Sequence, residues 1–275
     1  MRIGFMQGRL SPIERNRIQS FPFNFWENEI EIASKNNFKI IEWTVDSFLI
    51  DRNPIFDQSG IKKIRKLIDT NYVNIDSVTC DFFMENPFFI YKNNKINSLE
   101  YLIKLLKSSG SLGIKYFILP LVDFSSIQNK SQEELLIKEI NLISKYVPRG
   151  TKILFETDFG PIKNVEFIKQ FDPLFFGLNY DTGNSAFNGF DMKEEINLYY
   201  KYIHNIHIKD RKKNSDTTDL GNGHFNFDTF FSLLKSKKYK GNLILQTARS
   251  GNNQHLSLLI KNREYIENII NGLKS

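Results

Sequence analysis

The stretch KILFETDFGPIKNVEFIKQFDPLFFGLNYD, residues 152–181, contains one complete strand–helix–strand unit. Its two ends, 152–157 and 175–181, are short apolar runs rich in Ile, Leu and Phe, which is typical of strands covered on both faces. Residues 161–171 between them carry apolar side chains at helical spacing. The stretch therefore predicts two parallel strands joined by a crossover helix.

The same unit recurs along the whole chain of 275 residues. Candidate strands lie at 2–7, 38–44, 73–80, 115–121, 152–157, 175–181, 203–208 and 242–247. Candidate helices lie at 25–36, 57–69, 97–109, 132–146, 161–171, 191–202, 226–237 and 254–271. Eight such units of about 34 residues each suit a closed barrel, so we predict an α/β fold, a single (β/α)8 TIM barrel domain over 1–275. The alternative, an open doubly wound sheet, normally has a glycine-rich turn after its first strand, and MQGRLSP lacks that pattern.

Composition narrows the protein class. Hydrophobic residues make up 41% of the chain and charged residues 25%, as in ordinary soluble proteins. The sequence lacks an apolar run long enough to span a bilayer and a signal-peptide core at its start, so we expect a cytoplasmic protein without a membrane partner. The single cysteine, Cys80, fits a reducing compartment. The net charge of +6 comes largely from scattered lysines, which we interpret as solvated helix faces.

Polar side chains follow the predicted strands at the end where TIM barrels carry their reactive groups. Glu156, Asp181, His207 and Gln246 belong to four consecutive strands, which would bring them to a common point. Two carboxylates, an imidazole and an amide oxygen favour Mn²⁺, Mg²⁺ or Co²⁺, with Zn²⁺ as the alternative. We therefore predict one divalent metal ion. The simpler interpretations are a salt bridge from Glu156 to Lys209, a helix cap for Asp181, and a structural role for His207.

Several motifs occur together in a recognisable order. They are MQGRLSP at the start, IEWT at 41–44, ILFETD at 153–158, GLNYDTGN at 177–184, IHIKD at 206–210, LGNGHFNF at 220–227 and LQTARS at 245–250. They resemble the xylose-isomerase-like (β/α)8 barrel superfamily, the sugar phosphate isomerase/epimerase group, which shares the AP endonuclease family 2 fold with endonuclease IV. The resemblance spans nearly the whole chain. It implies a metal held by Glu156, Asp181, His207 and an acid on strand eight, where this chain has Gln246.

The resemblance implies an isomerase or epimerase that acts on a small sugar, sugar phosphate or sugar acid through an enediolate. We expect Glu156 to transfer the proton, with Lys209 and Gln246 as further catalytic residues. A glutamine offers a carbonyl oxygen to a metal but cannot act as a carboxylate base. The substitution therefore favours aldose–ketose isomerisation over epimerisation, unless Lys209, Asp81 or Glu42 supplies a second proton-transfer group.

Substrate binding is expected to involve the other polar residues at the strand ends. They are Gln7, Arg9, Glu42, Arg211 and Arg249. Together with Lys209, the three arginines predict an anionic sugar, because Arg binds phosphate and carboxylate in bidentate geometry. The alternative for Arg211, which precedes two lysines, is a solvated loop. The sequence leaves open whether the protein forms a homo-oligomer.

Two other functions are compatible with this fold. A catalytically silent sugar-binding barrel is one, because Gln246 replaces the expected acid. An endonuclease IV-like DNA-repair enzyme is the other, but that site resembles a histidine-rich three-zinc centre. This chain has only four histidines, and none lies at the carboxyl end of the third or fourth predicted strand. We therefore expect no nucleic-acid partner.

Overall fold

The computed structural model describes residues 1–90 and 98–273, and its centre is a closed barrel of eight parallel strands. The strands are β1 (Arg2–Met6), β2 (Ile40–Thr44), β3 (Asn74–Thr79), β4 (Tyr116–Leu121), β5 (Lys152–Thr157), β6 (Phe176–Asp181), β7 (Ile203–Ile208) and β8 (Asn242–Leu245). Each strand pairs with its neighbours in sequence, and β8 pairs with β1 to close the barrel. The prediction of a (β/α)8 TIM barrel is confirmed.

Helices surround the barrel. They are α1 (Trp26–Lys35), α2 (Gln58–Asn71), α3 (Phe82–Glu85), α4 (Ser98–Ser109), α5 (Lys130–Ile143), α6 (Pro161–Ile168), α7 (Thr182–Asn188), α8 (Met192–Tyr199), α9 (Phe227–Ser236) and α10 (His255–Gly272). The first residue of the predicted helix 97–109 lies outside the described residues. Two short helices, α3 and α7, were not predicted, because neither is long enough to show an apolar repeat. Both start near the carboxyl end of a strand and help to shape the mouth of the barrel.

Side chains alternate between the helices and the barrel interior, as the pleat of a strand requires. Phe155, Tyr180, Ile206 and Leu245 belong to the main apolar core together with side chains of the helices. The barrel interior holds a small separate apolar cluster and a larger set of buried polar residues. This polar interior carries the candidate site. Across the described residues, no helix is both long and apolar enough to cross a membrane.

Candidate functional site

His207 lies at the centre of the polar interior and is fully buried. Its Nε2 is 2.7 Å from Glu42 Oε1. Glu42 also accepts hydrogen bonds from Ser77 Oγ at 2.7 Å, from Asn205 Nδ2 at 3.0 Å and from the Thr79 hydroxyl. Burial raises the pKa of Glu42, but His207 and the two hydroxyls outweigh burial and lower that pKa. An ionised Glu42 only accepts hydrogen bonds, so the proton of a neutral His207 lies on Nε2 and Nδ1 keeps its lone pair.

The other ring nitrogen of His207 faces two carboxylates. Nδ1 lies 3.0 Å from Glu156 Oε2 and 4.0 Å from Asp181 Oδ2, yet it lacks a hydrogen bond of acceptable geometry to any described group. Burial lowers the pKa of His207, but the charges of Glu42 and Glu156 outweigh it and raise that pKa to about 10. His207 is therefore protonated on both ring nitrogens at neutral pH, and a metal ion at Nδ1 would displace the proton there. Glu156, Asp181 and His207 each present one ligand atom, and these atoms lie within 4.8 Å of one another. The cluster therefore has the spacing of a metal site.

Glu156 is held by two asparagines that sequence reasoning did not identify. Asn179 Nδ2 donates to Oε2 at 2.7 Å, and Asn184 Nδ2 donates to Oε1 at 2.9 Å. Burial raises the pKa of Glu156, but His207, Lys209 and the Asn179 hydrogen bond together lower it. Glu156 is thus an oriented, ionised carboxylate. The only sequence signal for this arrangement is Asn184 itself, within the DTGN motif.

Asp181 divides its two oxygens between two roles. Oδ1 caps α7 by accepting from the N–H groups of Gly183 at 2.7 Å and Asn184 at 2.9 Å. Oδ2 faces the cluster and lies 2.9 Å from Lys209 Nζ. The stem of Lys209 lies directly on Gly183, where a Cβ atom would come within 2.8 Å of its Cγ and Cε atoms. The DTGN motif therefore caps α7, contributes Asp181 to the cluster and packs against the side chain of Lys209.

Gln246 follows the last residue of β8 and is also buried. Its Nε2 donates to Gln19 Oε1 at 2.8 Å, and Gln19 Nε2 donates in turn to Asp81 Oδ2. Gln246 Oε1 is buried and receives no hydrogen bond from any described group. Burial raises the pKa of Asp81, the Gln19 hydrogen bond lowers it, and nearby carboxylates such as Asp46 and Glu156 raise it again, so that the net pKa is about 7.

A cavity of about 150 Å³ opens above the cluster at the carboxyl ends of the strands. Its wall includes Asp81, Asp123, Glu156, Lys209, Arg211 and Gln246. A larger cavity of about 510 Å³ lies at the opposite end of the barrel, lined by residues such as Arg2, Lys39 and Asn74. Size does not decide between them, because active sites of this fold lie at the carboxyl ends of the strands. The smaller cavity is therefore the candidate active site.

Two of the arginines predicted to bind substrate instead fasten the loop between β1 and α1. Arg9 donates to the carbonyl oxygens of Thr247 at 3.1 Å and Ile18 at 3.2 Å. Arg249 donates to the carbonyl oxygens of Ile18 at 3.3 Å and Ser11. Both guanidinium groups lie outside the cavity that Glu156 lines. Each arginine thus binds backbone oxygens of this loop, which in turn carries Gln19.

The remaining predicted residues are divided between the cavity and the barrel interior. Arg211 lines the cavity, stacks 4.1 Å above the ring of Phe187 and donates to the Ser215 carbonyl at 2.9 Å. Gln7 is fully buried and accepts from the Thr44 N–H at 3.1 Å. Glu42 lies beneath His207 rather than at the cavity. Arg211 is therefore the one predicted binding residue, besides Lys209, that reaches the cavity.

Asp210, in the IHIKD motif, organises the loop after β7. It is fully buried and accepts from the N–H groups of Gly221 and Gly223, each at 2.9 Å, and of Phe225 at 3.3 Å. A Cβ atom at Gly223 would lie 2.0 Å from Asp210 Oδ1. The glycines of LGNGHFNF are thus needed for backbone groups to approach a buried carboxylate.

Gly223→Ala is expected to lower the free energy of unfolding by about 1–3 kcal/mol, the usual cost of forcing an extra methyl group into a packed site. Denaturant unfolding measures the change. Gly251→Ala is the matched control, because a Cβ atom there would meet nothing within 4 Å. Equal stability of the two variants would show that the loop does not depend on this contact.

The sequence is similar to a family of TIM barrels and to enzymes that act on sugars or related compounds. A family model described as xylose isomerase-like TIM barrel matches residues 30–269. A Haemophilus influenzae protein named as an L-ribulose-5-phosphate 3-epimerase, SgbU, is 25% identical over 88% of this chain and 90% of its own. An inosose dehydratase of Clostridium perfringens is 20% identical over 75% of this chain and 80% of its own.

Solved structures show the same fold. D-psicose 3-epimerase from Clostridium cellulolyticum H10, crystallised with D-tagatose, superposes with a TM-score of 0.72 at 14% identity, covering 97% of this chain and 99% of that one. The expected resemblance is confirmed: the chain belongs to the xylose isomerase-like TIM barrel family.

Proposed function

We propose that the protein is a metal-dependent isomerase or epimerase of a small sugar, sugar phosphate or sugar acid. One observation carries the proposal. The ligand atoms of Glu156, Asp181 and His207 lie within 4.8 Å of one another, and Gln246, which lines the same cavity as Glu156, has a buried Oε1 that receives no hydrogen bond from any described group. A buried acceptor without a donor is costly, and a divalent ion shared by these four residues would satisfy it together with the two carboxylates.

Glu156, Asp181, His207 and Gln246 would hold one divalent ion. The mixture of oxygen and imidazole ligands favours Mn²⁺, Mg²⁺ or Co²⁺, with Zn²⁺ as the alternative. Such an ion, when bound, polarises the carbonyl and the adjacent hydroxyl of a sugar and so acidifies the hydrogen on the carbon between them. Glu42 supports this site from below, because its hydrogen bond fixes the ring of His207.

Glu156 is the residue that removes the proton. Its pKa is lowered, so it is ionised at neutral pH, and its two asparagine partners hold it at the wall of the cavity. Removal of the proton next to the carbonyl leaves an enediolate, whose negative charge lies on the substrate oxygens. Lys209 lines the same cavity and can donate a hydrogen bond to these oxygens. Return of the proton to the former carbonyl carbon, together with transfer of the hydroxyl proton from one enediolate oxygen to the other, gives the isomerised sugar.

Epimerisation is the second candidate, and the position of Asp81 favours it. An epimerase must return the proton from the opposite face, so it needs a second acid. Of the three residues considered for that role, Glu42 is enclosed by four hydrogen-bond partners, whereas Asp81 and Lys209 line the cavity. The similarity to a protein named as a sugar phosphate epimerase agrees with this alternative.

Fewer cationic side chains are available to bind an anionic substrate than the sequence indicated. Arg9 and Arg249 are engaged by backbone carbonyls, so an anionic sugar would have to be recognised by Arg211 and Lys209. The cavity also presents Asp81 and Asp123, which suit the hydroxyl groups of a sugar as hydrogen-bond acceptors. Matched neutral and phosphorylated sugars will separate these contributions.

The protein purified without chelator is expected to contain about one equivalent of divalent metal and to exchange one carbon-bound hydrogen of its sugar with D₂O. Elemental analysis and proton NMR over ketopentoses, ketohexoses and their phosphates measure both. Deuterium at one carbon with a ketose-to-aldose change identifies an isomerase, and deuterium with inverted configuration identifies an epimerase. Metal-free protein that exchanges no hydrogen even after addition of Mn²⁺ and Co²⁺ would contradict the proposal.

A further inference from the structure

Gln246 stands where the family resemblance implies an acid, and its amide has two different ends. Nε2 donates to Gln19, whereas Oε1 is buried and receives no hydrogen bond from any described group. Rotation of the amide by 180° about its terminal C–C bond would keep nearly the same shape but would exchange the positions of the oxygen and the NH₂ group. A carboxylate at this position would present an oxygen in either orientation. Gln246 can therefore serve as a metal ligand only if something fixes the direction of its amide.

A chain of two hydrogen bonds provides that direction. It starts at Asp81, whose Oδ2 accepts from Gln19 Nε2, and it ends where Gln19 Oε1 accepts from Gln246 Nε2. An ionised carboxylate has no proton to donate, so it forces Gln19 to present its NH₂ group. The carbonyl oxygen of Gln19 then faces Gln246 and forces that residue to present its own NH₂ group. The carbonyl oxygen of Gln246 is left without a donor and is available to a cation.

We propose that Asp81 is a positioning residue that acts through Gln19 to aim the carbonyl oxygen of Gln246 at the metal centre. The inference rests on the proposed metal site and explains how an amide takes the place of the implied acid. No described hydrogen bond or ion pair joins Asp81 to the cluster: its side chain accepts from Gln19 and lines the cavity. The proposal makes metal affinity depend on a residue of the β3–β4 connection that is not a ligand.

Asp81→Asn is expected to weaken metal binding about 10- to 100-fold, the usual effect of removing a group that orients a ligand. An asparagine at this position can present either end to Gln19, so the direction of both amides is lost. Titration calorimetry with Mn²⁺, at about pH 8 so that Asp81 is ionised, measures the change. Asp123→Asn is the matched control, because it removes a carboxylate from the wall of the same cavity and has no described side-chain bond to Gln19.

The decisive comparison uses Gln246→Glu as a second background. A carboxylate at position 246 needs no orientation and accepts from Gln19, so adding Asp81→Asn should leave metal affinity unchanged or raise it. A general effect of charge or folding would instead weaken binding equally in both backgrounds, and that result would overturn the proposal. Unchanged affinity of Asp81→Asn in the parent protein would also overturn it. If the parent protein binds no Mn²⁺ at all, the metal centre of the proposed function is itself wrong.

Discussion

His207→Ala is expected to abolish divalent-metal binding and to lower the free energy of unfolding by about 3–5 kcal/mol, because the buried carboxylate of Glu42 loses its charged partner and keeps only neutral donors. Glu42 loses its 2.7 Å contact with Nε2, and the cluster loses Nδ1. Elemental analysis and titration calorimetry measure the first effect, and denaturant unfolding measures the second. His224→Ala is the control, since His224 is exposed and lies outside the cluster.

A second substitution keeps this prediction testable if His207→Ala does not fold. Asp181→Asn retains an oxygen that can cap α7 at Oδ1 while it removes the negative charge at Oδ2. It is expected to keep most of the stability and lose most of the metal affinity. Full metal content in either variant would place the metal elsewhere, or nowhere, and would remove the cluster from consideration.

Glu156→Gln is expected to lower kcat by about 10²- to 10⁴-fold, the range attributed to a positioned acid–base group. The amide retains the size of the side chain and one carbonyl oxygen, but it cannot accept the substrate proton. Steady-state turnover and hydrogen exchange in D₂O should fall together, because both require removal of the same proton. The test uses whichever sugar the NMR survey identifies.

The control for Glu156→Gln is Glu85→Gln. Glu85 is another carboxylate at the cavity, but it is paired with Arg17 and accepts from the Ser47 N–H. Its loss should change turnover far less than the loss of Glu156. If Glu156→Gln exchanged hydrogen with the solvent as fast as the parent protein, the proton would be removed by another group, and Lys209 would be the next residue to test.

The sequence predicted the strands well because each one is an apolar run with a polar end. All eight strands of the barrel begin and end within two residues of their predicted bounds, whereas the short pair Asp210–Arg211 and Thr217–Thr218 was not predicted. The cluster was predicted for the same reason, since residues at the ends of neighbouring strands must meet. The Asp181 alternatives could not be separated in this way. The sequence offers metal ligand and helix cap as alternatives for Asp181, whereas in the structure Oδ1 caps α7 and Oδ2 faces the cluster.

Other parts of the site could not be predicted, because they depend on groups that a sequence does not display. Arg9 and Arg249 bind backbone carbonyls, and a carbonyl oxygen occurs at every position of the chain. Gln19 lies in a loop without regular structure, so nothing in its neighbourhood indicates that it connects Gln246 to Asp81. The helix α7 is short and lacks an apolar stripe. The spacing of apolar residues therefore could not predict contacts made by loops.

The hydrogen bonds of Glu42 join three strands, because its partners lie on β3 and β7 while Glu42 itself lies on β2. Substitutions at these positions share one network and should not have additive effects. The effect of a substitution at one of these positions on stability would therefore depend on which residues occupy the others. The interior of this barrel is thus expected to diverge in correlated steps, while the cavity residues Asp123 and Arg211, which lie outside the Glu42 network, are free to vary one at a time and adapt the protein to new sugars.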